Sequence, residues 1–288
     1  MKADPAASIH ARLLARAKAR GEDFNLTLTR YALERFLYRL SVTPERDHYW
    51  LKGALLFDLW FDVPHRPTRD ADFLGFGPAD AGSLRKALAE VCNVAGEDGM
   101  RFDARSIAIE QIREDARYGG LRVRLKGQLG KARCTVQLDI GYGDAVTPGP
   151  EEITYPTLLD DLPAPRLRAY PRAAVVAEKV EALVTLGIAN SRMKDYFDLR
   201  ALAREGAIDP AHLAQAIAMT FARRGTPLPE ALPLGLSDEF AQDRTKGAQW
   251  TAFVGRNRLH APSLAEVVAE VRTFLVEPLR LAREQRRA

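Results

Sequence analysis

The sequence predicts an α+β protein, a mixed sheet with flanking helices followed by a C-terminal helical bundle. Three observations carry that expectation. Residues in 106–112, 121–125 and 134–140 alternate between apolar and polar as half-buried strands do. From 173 onward the apolar residues recur at helical spacing, over 173–188, 193–204, 210–222, 238–254 and 264–284. Between these regions, 147–171 is dense in proline and reads as a crossover. The expected organisation is therefore a flexible or partly helical start over 1–24, a sheet-bearing domain over 25–150, a proline-rich crossover over 151–171 and a helical domain over 172–288.

The elements of the first half follow in order. Leu26, Tyr31, Leu33, Phe36, Leu37 and Leu40, separated by Arg30, Glu34 and Arg35, predict an amphipathic helix over 25–40. A short strand over 48–51 runs into Gly53. Residues 54–61 are apolar enough for a buried helix, which should stop before Pro64. A second strand over 70–76 is closed by Gly75, Gly77 and Pro78, and a helix over 81–94 follows. Trp50 and Trp60 flank the Gly53 turn as core residues, with base stacking as the other reading.

Bulk properties exclude several classes. The chain has 288 residues, 47% of them hydrophobic and 28% charged, enough for one generous core or two smaller ones. Its formal charge of +4, from 42 Lys and Arg against 38 Asp and Glu, favours a polyanionic partner only mildly. Arginines cluster over 66–69, 122–133, 166–172 and 280–287, so a phosphate-binding surface would be local; a solvated surface is the alternative. Cys92 and Cys134 have no CxxC spacing, which argues against a disulfide framework or a zinc site. No stretch approaches the roughly 18–20 apolar residues of a membrane span, and the N-terminus lacks the apolar core of a signal peptide. A soluble, cytoplasmic protein is expected, with no membrane partner. The histidines form no ligand spacing.

The sharpest chemical signal is Asp70-Ala71-Asp72, because strand alternation puts both carboxylates on one face. Side by side they repel, and a divalent cation neutralises both while leaving coordination positions for phosphate oxygens. Mg²⁺ is the natural occupant, with Mn²⁺ as the alternative. Upstream, Lys52-Gly53-Ala54 ends a strand and opens a helix, either a plain tight turn or a place where backbone N–H groups meet a triphosphate. Asp139 sits on an otherwise apolar strand; it is a salt-bridged structural residue, a third metal ligand, or a base for an attacking hydroxyl. Lys179 borders the apolar stripe of Val176, Val180, Leu183 and Val184, where it either snorkels or reaches a triphosphate. Asp195 and Asp198 stand within one turn of Arg192 and Lys194, so local ion pairs compete with a functional role.

Taken together, Tyr49-Trp50-Leu51-Lys52-Gly53-Ala54-Leu55-Leu56, Arg66-Pro67-Thr68-Arg69-Asp70-Ala71-Asp72-Phe73 and Leu138-Asp139-Ile140 resemble the AbiEii/AbiGii toxin family. Ala177-Glu178-Lys179-Val180-Glu181-Ala182-Leu183 and Arg192-Met193-Lys194-Asp195-Tyr196-Phe197-Asp198-Leu199 extend the match. The resemblance implies a DNA polymerase β-like nucleotidyltransferase catalytic domain and an enzyme that moves a nucleoside monophosphate from an NTP to an acceptor. It implies an RNA acceptor, in some relatives the 3′ end of tRNA, and an antitoxin encoded alongside. In the same terms Asp70, Asp72 and Asp139 hold the metal and Lys52, Gly53 and Ala54 meet the nucleotide. Arg66 and Lys179 face phosphate, with Asp195 or Asp198 as support. Ala54 stands where the family often has a Ser or Thr hydroxyl, which leaves only backbone contacts there. The competing readings are an acceptor that is a protein or small molecule, and a non-catalytic cation-binding interaction module.

Overall fold

The computed structural model of the chain describes residues 5–61, 65–114, 118–144 and 146–287. Pro64, the expected helix stop, lies outside them, as do residues 1–4. The chain divides into two compact units, one made of 1–143 with 151–169 and the other of 144–150 with 170–288.

The first unit opens with two helices, α1 (Pro5–Arg20) and α2 (Phe24–Ser41). The start of the chain, expected to be flexible or partly helical, is thus a helix of 16 residues. Asp23 caps α2 by accepting from the backbone N–H of Leu26. Helix α2 is buried on nearly every side, and Arg39 is among its enclosed residues. The Arg39 guanidinium donates to both oxygens of Asp98, at 2.7 and 2.9 Å, and to the carbonyls of Arg35, Val94 and Met100. A buried arginine with five acceptors meets the requirement that enclosed charge be paired and hydrogen-bonded.

Strand β1 (Tyr49–Lys52) leads through the Gly53 turn into α3 (Leu56–Trp60), then come β2 (Asp70–Gly75), α4 (Ala81–Asn93), β3 (Met100–Glu114), β4 (Tyr118–Leu129) and β5 (Ala132–Tyr142). The helix expected over 54–61 is shorter than the pattern suggested, a 3₁₀ turn followed by five α-helical residues. So short a helix sums few peptide dipoles, which removes most of the electrostatic argument for an anion at its start. The proline-rich crossover is also more structured than expected. It supplies β6 (Glu151–Thr154) and β7 (Arg166–Ala169).

Among the described residues the seven strands form one sheet in the order β3-β4-β5-β2-β1-β7-β6. It is mixed: β1 is antiparallel to β2 and parallel to β7, while β2 is parallel to β5. One face carries Leu51, Ala71, Phe73, Val123, Leu138 and Ile140, all buried, and α2 packs against β5 and β7. The opposite face carries the acids.

The second unit is a helical bundle: α5 (Arg172–Leu186), α6 (Met193–Glu205), α7 (Pro210–Arg224), α8 (Asp238–Gln242), α9 (Arg244–Arg256) and α10 (Leu264–Arg287). In α10, Val267, Val271, Leu275, Leu279 and Ala282 make one buried stripe at three- and four-residue spacing, packed on α6 and α7. The helix expected over 238–254 is divided in two, because the side chain of Asp243 turns to accept from the Lys246 N–H and starts a new helix. Cys92 and Cys134 are free, and burial pushes their thiols up to about 12 and about 11, which leaves them unreactive. Among the described residues no helix is long and apolar enough to cross a membrane.

Candidate active site

Strand register assembles the site. Lys52 lies opposite Asp72 across β1 and β2, Asp72 beside Asp139 across β2 and β5, Arg122 opposite Asp139 across β5 and β4, and Glu110 opposite Arg122 across β4 and β3. Five strands thus contribute one transverse row, Lys52, Asp72, Asp139, Arg122 and Glu110. The next row holds Asp70, Gln137 and Arg124. Cross-strand neighbours share a face, so these residues all face the same way.

Gly53 fixes the fit of the Asp72 side chain. Its φ of +73° is a conformation that residues with a Cβ rarely adopt, and a Cβ built there would stand 2.7 Å from the Asp72 carboxylate carbon and 2.8 Å from its Cβ. The carboxylate therefore occupies the space that glycine leaves open. Thr68 Oγ1 donates to Asp70 Oδ1 at 2.7 Å, which fixes the orientation of the other acid. The Lys52 ammonium reaches 3.9 Å from where a Gly141 Cβ would stand, bringing its charge from β1 across to β5. Arg66 is half-buried in the segment leading into β2.

Asp139 is engaged by Arg122, whose Nε and Nη2 donate to the two carboxylate oxygens at 2.8 and 2.6 Å. That fork, with the attraction of Asp139, holds the Arg122 guanidinium above its ordinary pKa. Among the described residues no three His, Cys, Asp or Glu side chains converge into a ready-made metal cage. What the face offers a cation is the pair Asp70 and Asp72, with Asp139 next in the row. Carboxylate oxygens of this kind suit a hard divalent ion, and the Gly53 cradle holds one of them in place.

In the second unit, Lys179 donates to Asp195 Oδ1 and Asp198 Oδ2, both at 2.7 Å, and the two acids are almost fully buried. Arg192 Nε approaches the second oxygen of Asp195 to 2.9 Å. The structure thus brings Lys179, Asp195 and Asp198 into one cluster, whereas Lys194 is exposed. The lysine charge, together with that of Arg192, already faces two enclosed carboxylates.

Several arginines of the clusters over 122–133 and 166–172 are paired from within. Besides Arg122, Arg124 is paired with Glu110 and bonded to Gln137, Arg168 with Glu152 and Asp47, and Arg172 with Glu205. Reading the arginines without strand register missed those partners. The signal was present for one of them: Gly130, with φ +57°, turns the β4–β5 hairpin between Leu129 and Ala132, and counting back from that pair puts Arg122 opposite Asp139.

The family model for the nucleotidyl transferase AbiEii toxin of the type IV toxin–antitoxin system matches residues 35–275. The chain belongs to the AbiEii toxin family. It is therefore a toxin-family enzyme of the nucleotidyltransferase class, in a family that generally uses divalent metals. No curated protein matches it. Solved structures share this chain's fold. MenT4, a nucleotidyltransferase toxin from Mycobacterium tuberculosis H37Rv, is 21% identical with a TM-score of 0.61 over 98% of this chain and 92% of its own. JHP933 from Helicobacter pylori is 17% identical with a TM-score of 0.53, over 91% of this chain and 95% of its own.

Proposed function

We propose that this member of the AbiEii family transfers a nucleoside monophosphate from an NTP to an RNA acceptor, with the 3′ end of tRNA as the first candidate, and that an antitoxin encoded nearby opposes it. The acceptor hydroxyl oxygen forms a bond to the α-phosphorus while the bond to the bridging oxygen breaks, and pyrophosphate leaves. The observation that carries this reading is the pair Asp70 and Asp72 on one strand face, with Asp72 seated against Gly53. Asp70 and Asp72 would hold Mg²⁺, or Mn²⁺ in its place, which supplies charge neutralisation at the phosphates. Asp139 is the third acid. Each carboxylate oxygen has lone pairs beyond those taken by Arg122, so it can ligate or accept the acceptor's proton while staying oriented. Lys52, Arg66 and the Gly53-Ala54 backbone would bind the triphosphate. Lys179, with Asp195 and Asp198, is proposed as the contribution of the helical unit to nucleotide binding.

The test is to incubate the protein with Mg²⁺, each labelled NTP in turn and total cellular RNA. RNA should take up label as pyrophosphate is released. Asp70→Asn should lower that rate by more than about a hundredfold, because a metal ligand supplies several kcal/mol of charge stabilisation in the transition state. The ion-paired state of Arg122, Arg124, Arg168 and Arg172 favours one second reading, an acceptor that is a protein or small molecule. Label in protein or in a small solute, with RNA unlabelled, would establish it.

A further inference from the structure

A separate pocket of about 110 Å³ is formed in the first unit by α1, α2, α3 and the segment after β6. Three arginines line it, Arg16, Arg20 and Arg30, together with Glu34, Asp58 and Tyr155. Two of the arginines have partners. Arg30 is paired with Asp58 at 3.0 Å and stands 4.0 Å from Glu22, and Arg20 stands 3.8 Å from Glu22. Arg16 makes no hydrogen bond or ion pair within the described residues, and Glu22 and Asp160 act on it only at a distance. Burial, then the repulsion of Arg20 and Arg30, pulls its pKa below the ordinary value. The geometry leaves positive charge over: Asp58 and Glu22 stand against Arg30 and Arg20, and Arg16 has no acid in contact among the described residues.

The acids of the wall do not cancel this. Asp58 is taken up by Arg30 and by the Tyr155 hydroxyl at 3.3 Å. Glu34 is turned to Arg35 and to the Leu158 N–H, and burial pushes its carboxyl up to about 7. We infer that this pocket binds a phosphoryl dianion, free or as one group of a larger ligand, with Arg16 as its principal donor. The guanidinium fork matches phosphate oxygens in pairs. Size points the same way, since the volume is well below the roughly 300–1,000 Å³ of sites that enclose a whole drug-sized molecule. The inference does not rest on the transferase reading, because none of these residues belongs to the rows that carry Asp70, Asp72 and Asp139.

The experiment is a calorimetric titration of the full chain, freed of divalent cations with chelator, with inorganic phosphate, pyrophosphate and a short 5′-phosphorylated oligonucleotide. Arg16→Gln is run in parallel. Phosphate should saturate one site, and Arg16→Gln should weaken it by about tenfold or more, the loss of a charge-assisted hydrogen bond. Arg20→Gln, at an exposed position, should weaken it in the same direction and serves if Arg16→Gln fails to fold. Equal strengths for phosphate and oligonucleotide would mark a free-anion site. Tighter oligonucleotide binding that is lost in Arg16→Gln would mark a nucleic-acid phosphate. Either supports the inference. No saturable phosphate binding, equal binding by the parent and both variants, or equal competition by acetate would overturn it. At saturating NTP and RNA both variants should keep the parent's maximal rate of nucleotide transfer, because neither residue belongs to the rows that carry the acids.

Discussion

Gly53 and Asp72 share one small volume, and the site depends on which group fills it. Gly53→Ala adds a methyl where the Asp72 carboxylate lies and demands a positive φ from a residue with a Cβ. The backbone conformation alone costs about 1–3 kcal/mol. The larger effect is displacement of Asp72, and a shift near 1 Å in a reacting constellation lowers rates by a factor on the order of a hundred. The variant should melt a few degrees lower and transfer nucleotide about a hundredfold more slowly; parental rates would show that Asp72 need not sit there. Much of this was legible in the sequence, because Asp70 and Asp72 share a face by period-two alternation and a glycine after a short strand implies a special turn. The fork from Arg122 to Asp139 was legible only by counting back along the hairpin from the Gly130 turn, because it depends on pairing between two strands. A basic residue read along its own strand looks free.

At the level of elements, α2 organises the first unit through polar as well as apolar burial. Arg39 ties it to the connection between α4 and β3, through Asp98 and the carbonyls of Val94 and Met100. Arg39→Ala leaves Asp98 buried without its cation, which costs about 3–5 kcal/mol. A urea midpoint close to the parent's would refute that assignment. Periodicity located the long elements well, since burial of one face imposes it. It failed on β6 and β7, four residues each and set among prolines, where pairing of β7 with β1 at Leu51 and Ala169, and of β6 with β7, rather than local pattern makes them strands. It also failed at Asp243, where a side-chain cap overrides apolar spacing that would have carried one helix through.

At the scale of the molecule, the chain leaves the first unit after Gly143, returns at Glu151 and leaves again after Ala169. The first excursion is pinned within the second unit by Arg224, which contacts Asp144, Glu178 and Glu181 at 3.2, 3.2 and 2.8 Å. Burial pushes the Glu181 carboxyl up, but hydrogen bonds from Thr226, Arg224 and Thr185 outweigh it and hold the group below its ordinary 4.5. The unfolded chain then takes up this proton first as pH falls. The stabilisation is present above about pH 4.5 and is lost as the pH drops through the lower folded value. Melting temperature should fall across that acid range, and Glu181→Gln should be less stable near neutrality with a shallower acid slope. An unchanged slope would remove Glu181 from the hub. The return of the chain at β7 also sets a schedule. Strand β1, which ends at Lys52, has β7 on one side and β2 on the other, so its outer edge stays open until residues near Ala169 have left the ribosome. At roughly 5–20 residues per second, that interval lasts several seconds or more. A chain interrupted after Asp72 and before Ala169 has both aspartates of the pair but an uncovered strand edge, a state inclined to associate with other chains. Translation therefore completes the sheet that carries the acids long after it has supplied them.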